Sequence, residues 1–93
     1  MNLKEIIKKP GVTIIDVRSR LEFFLGHIKG SKNIPLGSLP NKLEDIKKLN
    51  QPIVLVCASG MRSGQALSFL KSKGLKNLYN GGSWASVKQM QQN

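Results

Sequence analysis

Ninety-three residues and 10.3 kDa, 40% hydrophobic and 22% charged, suffice for one folded unit over 1–93 and exclude a wholly disordered chain. The longest apolar run, Ile53 to Ala58, is far short of the ~20 residues a membrane helix needs, and one cysteine excludes an internal disulfide framework or a multi-cysteine zinc site. Fifteen Lys plus Arg against five Asp plus Glu give a formal net charge of +10.

In chain order the pattern alternates between helix and strand. Leu3, Ile6 and Ile7 recur at helical spacing, with Asn2 and Glu5 placed as a capping box and Pro10-Gly11 as the stop. Val12 to Val17 is β-branched and nearly all apolar, as expected of a strand covered on both faces in a parallel sheet. Ser19 and Glu22 form a second capping box, opening a short helix that ends at Gly26. Lys32-Asn33-Ile34 reads as a brief strand closed by Pro35. Leu39, Leu43, Ile46 and Leu49 mark the stripe of a helix capped by Asn41 and Glu44.

Ile53 to Cys57 is the most apolar strand and the candidate for the sheet centre. A helix follows from about Arg62 to Lys73, then a short strand at Asn77-Leu78-Tyr79 and a weak helix around Trp84 to Gln89, with a fraying tail. Strand and helix in this alternation argue for a small α/β layer fold with a mainly parallel sheet.

The lone cysteine ends the central strand, where open parallel sheets bind their ligands. Cys57-Ala58-Ser59-Gly60-Met61-Arg62-Ser63 leaves that strand and enters a helix. Small residues allow a tight turn, whose inward N–H groups and helix dipole make an anion-binding bowl. A thiol there should have a lowered pKa and be exposed to reagents, with Arg62 as a fixed charge near the rim and Met61 lining it. Ser59 and Ser63 are placed to add hydroxyls, and Ser63 to cap the helix. The bland alternative is a cysteine that is only a small buried hydrophobe; strand end, glycine turn and arginine together argue against it.

Three segments resemble the rhodanese-like (sulfurtransferase) family: Asp16 to Phe23 followed by Gly26-His27-Ile28-Lys29-Gly30-Ser31, then Asn33-Ile34-Pro35-Leu36, then Cys57 to Ser63, which matches Cys-x-x-Gly-x-Arg-Ser. Gly81-Gly82-Ser83-Trp84 is similar to the family's C-terminal pattern, with an early tryptophan. The resemblance implies a three-layer fold with four to five strands, four if the extra N-terminal strand is missing. It also implies sulfane sulfur passing through a persulfide on Cys57, from thiosulfate or a persulfide or polysulfide donor to cyanide or a thiol. Residues 58–63 would form the binding loop, and no metal or organic cofactor is required. Tyrosine-type phosphatases place five residues between Cys and Arg; here four intervene, and Val56 stands where they usually carry a histidine. The phosphatase or arsenate-reductase reading is therefore a minority one, beside a non-catalytic binding module of the same fold.

Asp16, at the end of the first strand, is expected near the bowl's mouth as an orienting acceptor paired with Arg18; a carboxylate touching the thiolate would raise its pKa. His27, the sole histidine, is read as fixing a connection rather than as a general base. The expected partners are small sulfur anions and a protein or low-molecular-weight thiol. The lysines are scattered and arginines number three, so neither nucleic acid nor membrane is expected. Charges in the first nine residues break any signal-peptide core, and the reducing cytoplasm is the expected compartment.

Overall fold

The computed structural model describes residues 1–93. Four strands, β1 (Thr13–Asp16), β2 (Lys32–Asn33), β3 (Ile53–Cys57) and β4 (Leu78–Ser83), form one sheet in the order β2-β1-β3-β4. Every pairing is parallel. Five helices surround it: α1 (Leu3–Ile7), α2 (Arg20–Leu25), α3 (Leu43–Lys47), α4 (Met61–Ser72) and α5 (Trp84–Gln92).

Strand alternation divides the apolar residues into two cores. Ile15, Ile53, Leu55 and Cys57 face Ile46 of α3 and Ala66 and Leu70 of α4; Ile14, Val54 and Val56 face Ile6 and Ile7 of α1 and Val87 of α5. Because both faces are covered, β1 and β3 are buried at every position, which is why they read as continuous apolar runs. From β1 the chain crosses to β2 on one side, and from β3 to β4 on the other. The C-terminal ends of β1 and β3 therefore flank a topological switch point, and Asp16 and Cys57 are the residues that end there.

Both expected capping boxes form, Asn2 with Glu5 on α1 and Ser19 with Glu22 on α2. The third does not. The chain enters α3 through two 3-10 turns, Leu36–Ser38 and Pro40–Lys42, so Asn41 already lies inside a turn and Lys42 occupies the cap without a side-chain hydrogen bond. Strand β4 runs to Ser83, beyond the expected Tyr79. Its register slips between Leu55 and Val56, which pair with Asn80 and Gly82 and leave Gly81 as the bulged residue. A Cβ at Gly81 would lie 2.7 Å from Val54 Cγ1 and 2.9 Å from Val56 Cγ1, so only glycine admits this approach. The tail is helical to Gln92, not frayed: Val87 is buried, α5 packs on α1, and the Lys8 amine donates to the Asn93 carbonyl. No helix is long and apolar enough to cross a membrane.

Candidate active site

Cys57 ends β3, and three residues later Gly60 takes φ +107°, a left-handed conformation that other side chains resist. That reversal starts α4 at Met61 and folds the loop back over the sulfur. The Gly60 N–H donates to Cys57 Sγ at 2.9 Å, and Ser63 Oγ lies 3.4 Å from the same sulfur. Burial pushes the Cys57 thiol up, but the Ser63 hydroxyl and the amides of Ser63, Gly60 and Ser59 together outweigh it, and the net displacement is downward. Of the expected inward N–H groups, that of Gly60 is within hydrogen-bond distance of the sulfur.

The expected openness is absent. Cys57 is 0% exposed. Its loop neighbours Ala58, Ser59 and Met61 are exposed, so the buried sulfur belongs to a loop that is otherwise at the surface. The turn that aims the Gly60 N–H at the sulfur leaves that sulfur out of contact with water.

Ser63 is the third residue of α4, and the cap is Gly60, with no side-chain hydrogen bond. The Ser63 side chain, 0% exposed, turns inward instead, contacting the Gly60 carbonyl at 3.1 Å and Asn80 Oδ1 at 2.7 Å. Met61, at the first helical position, is 77% exposed. Arg62 does not hang free at the rim: its two terminal nitrogens donate to the two carboxylate oxygens of Glu22 at 2.7 and 3.0 Å. The Arg62 fork and the Ser19 amide hold the Glu22 carboxyl down at about 2. Glu22 reads as a capping residue in the sequence, and its second partner, forty positions away, leaves no local signal.

Asp16 is fully buried and accepts from Arg18: the backbone N–H at 3.0 Å, Nε at 2.9 Å and Nη2 at 2.7 Å. Arg18 in turn donates to the Gly26 carbonyl at 2.7 Å and covers the Trp84 ring at 4.6 Å, tying α2 and α5 to the end of β1. Asp16 makes no hydrogen bond to the loop. The His27 ring stacks on Phe23 at 3.8 Å and its Nδ1 lies 2.7 Å from the Phe23 carbonyl, so it fixes the exit from α2 and forms no pair with Cys57. Asn80 is the contributor that sequence reasoning missed; nothing in a polar residue before two glycines points to the loop.

The Rhodanese-like domain family model matches residues 2–89. The chain belongs to that family. It is 40% identical over 67 residues to YqhL of Bacillus subtilis, covering 72% of this chain and 52% of that protein. It is 33% identical over 76 residues to the thiosulfate sulfurtransferase GlpE of Pseudoalteromonas translucida, covering 82% and 71%. The chain thus spans about half the length of the first relative and over two thirds of the second. A rhodanese-related protein from Thermoplasma volcanium superposes with a TM-score of 0.74 at 34% identity, over 94% of this chain and 84% of that one. The four-stranded parallel sheet flanked by helices thus matches the fold of a rhodanese-related structure.

Proposed function

We propose that this chain is a sulfurtransferase whose 93 residues act as one unit, with Cys57 carrying sulfane sulfur as a persulfide. The observation that carries this reading is the Gly60 N–H donating to Cys57 Sγ at 2.9 Å, with Ser63 Oγ 3.4 Å from the same sulfur, at the head of α4. In the first step the Cys57 thiolate attacks the outer sulfur of thiosulfate. A sulfur–sulfur bond forms to Cys57, the donor's own sulfur–sulfur bond breaks, and sulfite leaves with the electron pair. The terminal persulfide anion stays within reach of the loop amides. In the second step cyanide or a thiolate attacks that outer sulfur, and thiocyanate or a new persulfide leaves as Cys57 returns to thiolate.

Ala58, Ser59 and Met61, the exposed residues of the loop, are the ones that would meet an incoming donor, and the loop must move for the donor to reach the buried sulfur. Arg62, positioned by Glu22, supplies positive charge beside the leaving sulfite, and the Asp16–Arg18 pair and His27 hold the frame. No step calls on a metal or organic cofactor. The donor class follows the name of GlpE, a thiosulfate sulfurtransferase. The acceptor is a protein or small thiol, and a reducing, cytoplasmic setting suits a single reactive thiol.

Intact-mass measurement after incubation with thiosulfate or polysulfide tests the reading: one added sulfur on the wild type and none on Cys57→Ser. An unmodified mass with every sulfane donor overturns it. The 0% exposure of Cys57 favours a second reading, a binding module with an unreactive thiol; such a module would keep its unmodified mass with every sulfane donor.

A further inference from the structure

Ser63 Oγ carries one hydrogen and faces two acceptors, Asn80 Oδ1 at 2.7 Å and the Gly60 carbonyl at 3.1 Å, while itself accepting from the Cys57 thiol at 3.4 Å. The Asn80 amide is not free to reverse. Its Oδ1 accepts from the Gly82 N–H at 2.9 Å, and its Nδ2 donates to the Gly60 carbonyl at 3.4 Å. A flipped amide would set two N–H groups against each other and two carbonyls against each other. The bulge at Gly81 fixes this arrangement: Asn80 shares the sheet face of Leu78, toward α4, while Gly82 steps back to offer its N–H.

While the thiol holds its proton, one chain satisfies every group: Sγ–H to Ser63 Oγ, and Ser63 O–H to Asn80 Oδ1. Once the thiol ionises, the sulfur becomes a third acceptor for that hydrogen, and a bond from Ser63 to it would give up the 2.7 Å bond to Asn80. We propose that Asn80 is a positioning residue that competes with the Cys57 thiolate for the single Ser63 hydroxyl proton and so sets the fraction of reactive thiolate. Asn80 restrains ionisation where the loop amides favour it. The charges near the sulfur are Arg62 of α4, held by Glu22 of α2, and the Asp16–Arg18 pair at the end of β1; His27 is engaged with Phe23. None of them contacts Asn80 or Ser63 through a hydrogen bond, so they are common to every variant below.

The test is titration of the one thiolate by its ultraviolet absorbance in the wild type, Asn80→Ala, Ser63→Ala and the double variant. A hydrogen bond of ordinary strength, about 0.5–1.5 kcal/mol, converts to a fall of about 0.4–1 pKa unit in Asn80→Ala. Ser63→Ala raises the pKa, and in that background Asn80→Ala has no further effect. Asn80→Asp, which keeps the acceptor and adds charge, moves the pKa upward. An unchanged or raised pKa in Asn80→Ala overturns the proposal. So does an equal shift in the Ser63→Ala background, because Asn80 would then act without the hydroxyl. Loosening of β4 alone would move the Ala and Asp variants the same way, and that result too overturns it. The titration reads a proton and intact mass reads a sulfur, so failure here is distinguishable from failure of the sulfurtransferase reading.

Discussion

At the scale of single residues, the charges that matter are those the fold has removed from water. Asp16 and Arg18 are buried together, so removing the carboxylate leaves an unpaired guanidinium in the core. Asp16→Ala is expected to cost about 3–5 kcal/mol in urea denaturation, even though Asp16 does not touch the candidate nucleophile. The thiol behaves differently. With its pKa lowered in the folded chain, the thiolate's hydrogen bonds add stability above the ordinary thiol value, and that contribution disappears as pH falls through the lowered one. Wild type minus Cys57→Ser, measured by denaturation across pH, should therefore grow as the medium turns alkaline. Cys57 was legible as the candidate nucleophile because strand end, glycine and arginine lie within seven positions. Its burial was not, since exposure depends on how the loop settles over the sulfur, which spacing does not encode.

At the scale of elements, α2 is the weakly anchored piece: it buries no residue and leaves Leu21, Phe24 and Leu25 exposed. What ties its start to α4 is the Glu22–Arg62 fork, each side chain 37% exposed. Glu22→Gln should cost no more than about 1 kcal/mol near neutral pH. The Glu22 carboxyl lies at about 2, below its usual 4.5, so the deficit should close as pH falls from 4.5 toward 2. Denaturation of both proteins at pH 7 and pH 3 reads the difference. In β4, Gly81→Ala forces a methyl against Val54 and Val56 and should cost about 1–3 kcal/mol. Helices and strands with a full apolar stripe were legible from periodicity. Strand β4 beyond Tyr79 was not, because its last residues are two glycines and a serine and the pairing is with backbone, which carries no side-chain pattern.

At the scale of the whole molecule, a net charge of +10 creates a field that draws small anions toward every face. Thiosulfate carries two negative charges, so kcat/KM with that donor should fall several-fold as ionic strength rises from about 0.01 to 0.15 M, where the screening length shrinks from roughly 30 to 8 Å. A neutral sulfane donor should show little of this dependence, and equal slopes for the two would exclude steering. The packing of α1 against α5, closed by Lys8 and Asn93, brings the N-terminal and C-terminal segments together on one layer. A circular permutant follows from this. Joining Met1 to Asn93 through a glycine linker long enough to run back along α1, and opening new termini at the exposed turn around Gly30, should preserve both cores. Such a rewired chain would retain cooperative melting, as if the order in which the ribosome delivers the strands were incidental to the fold.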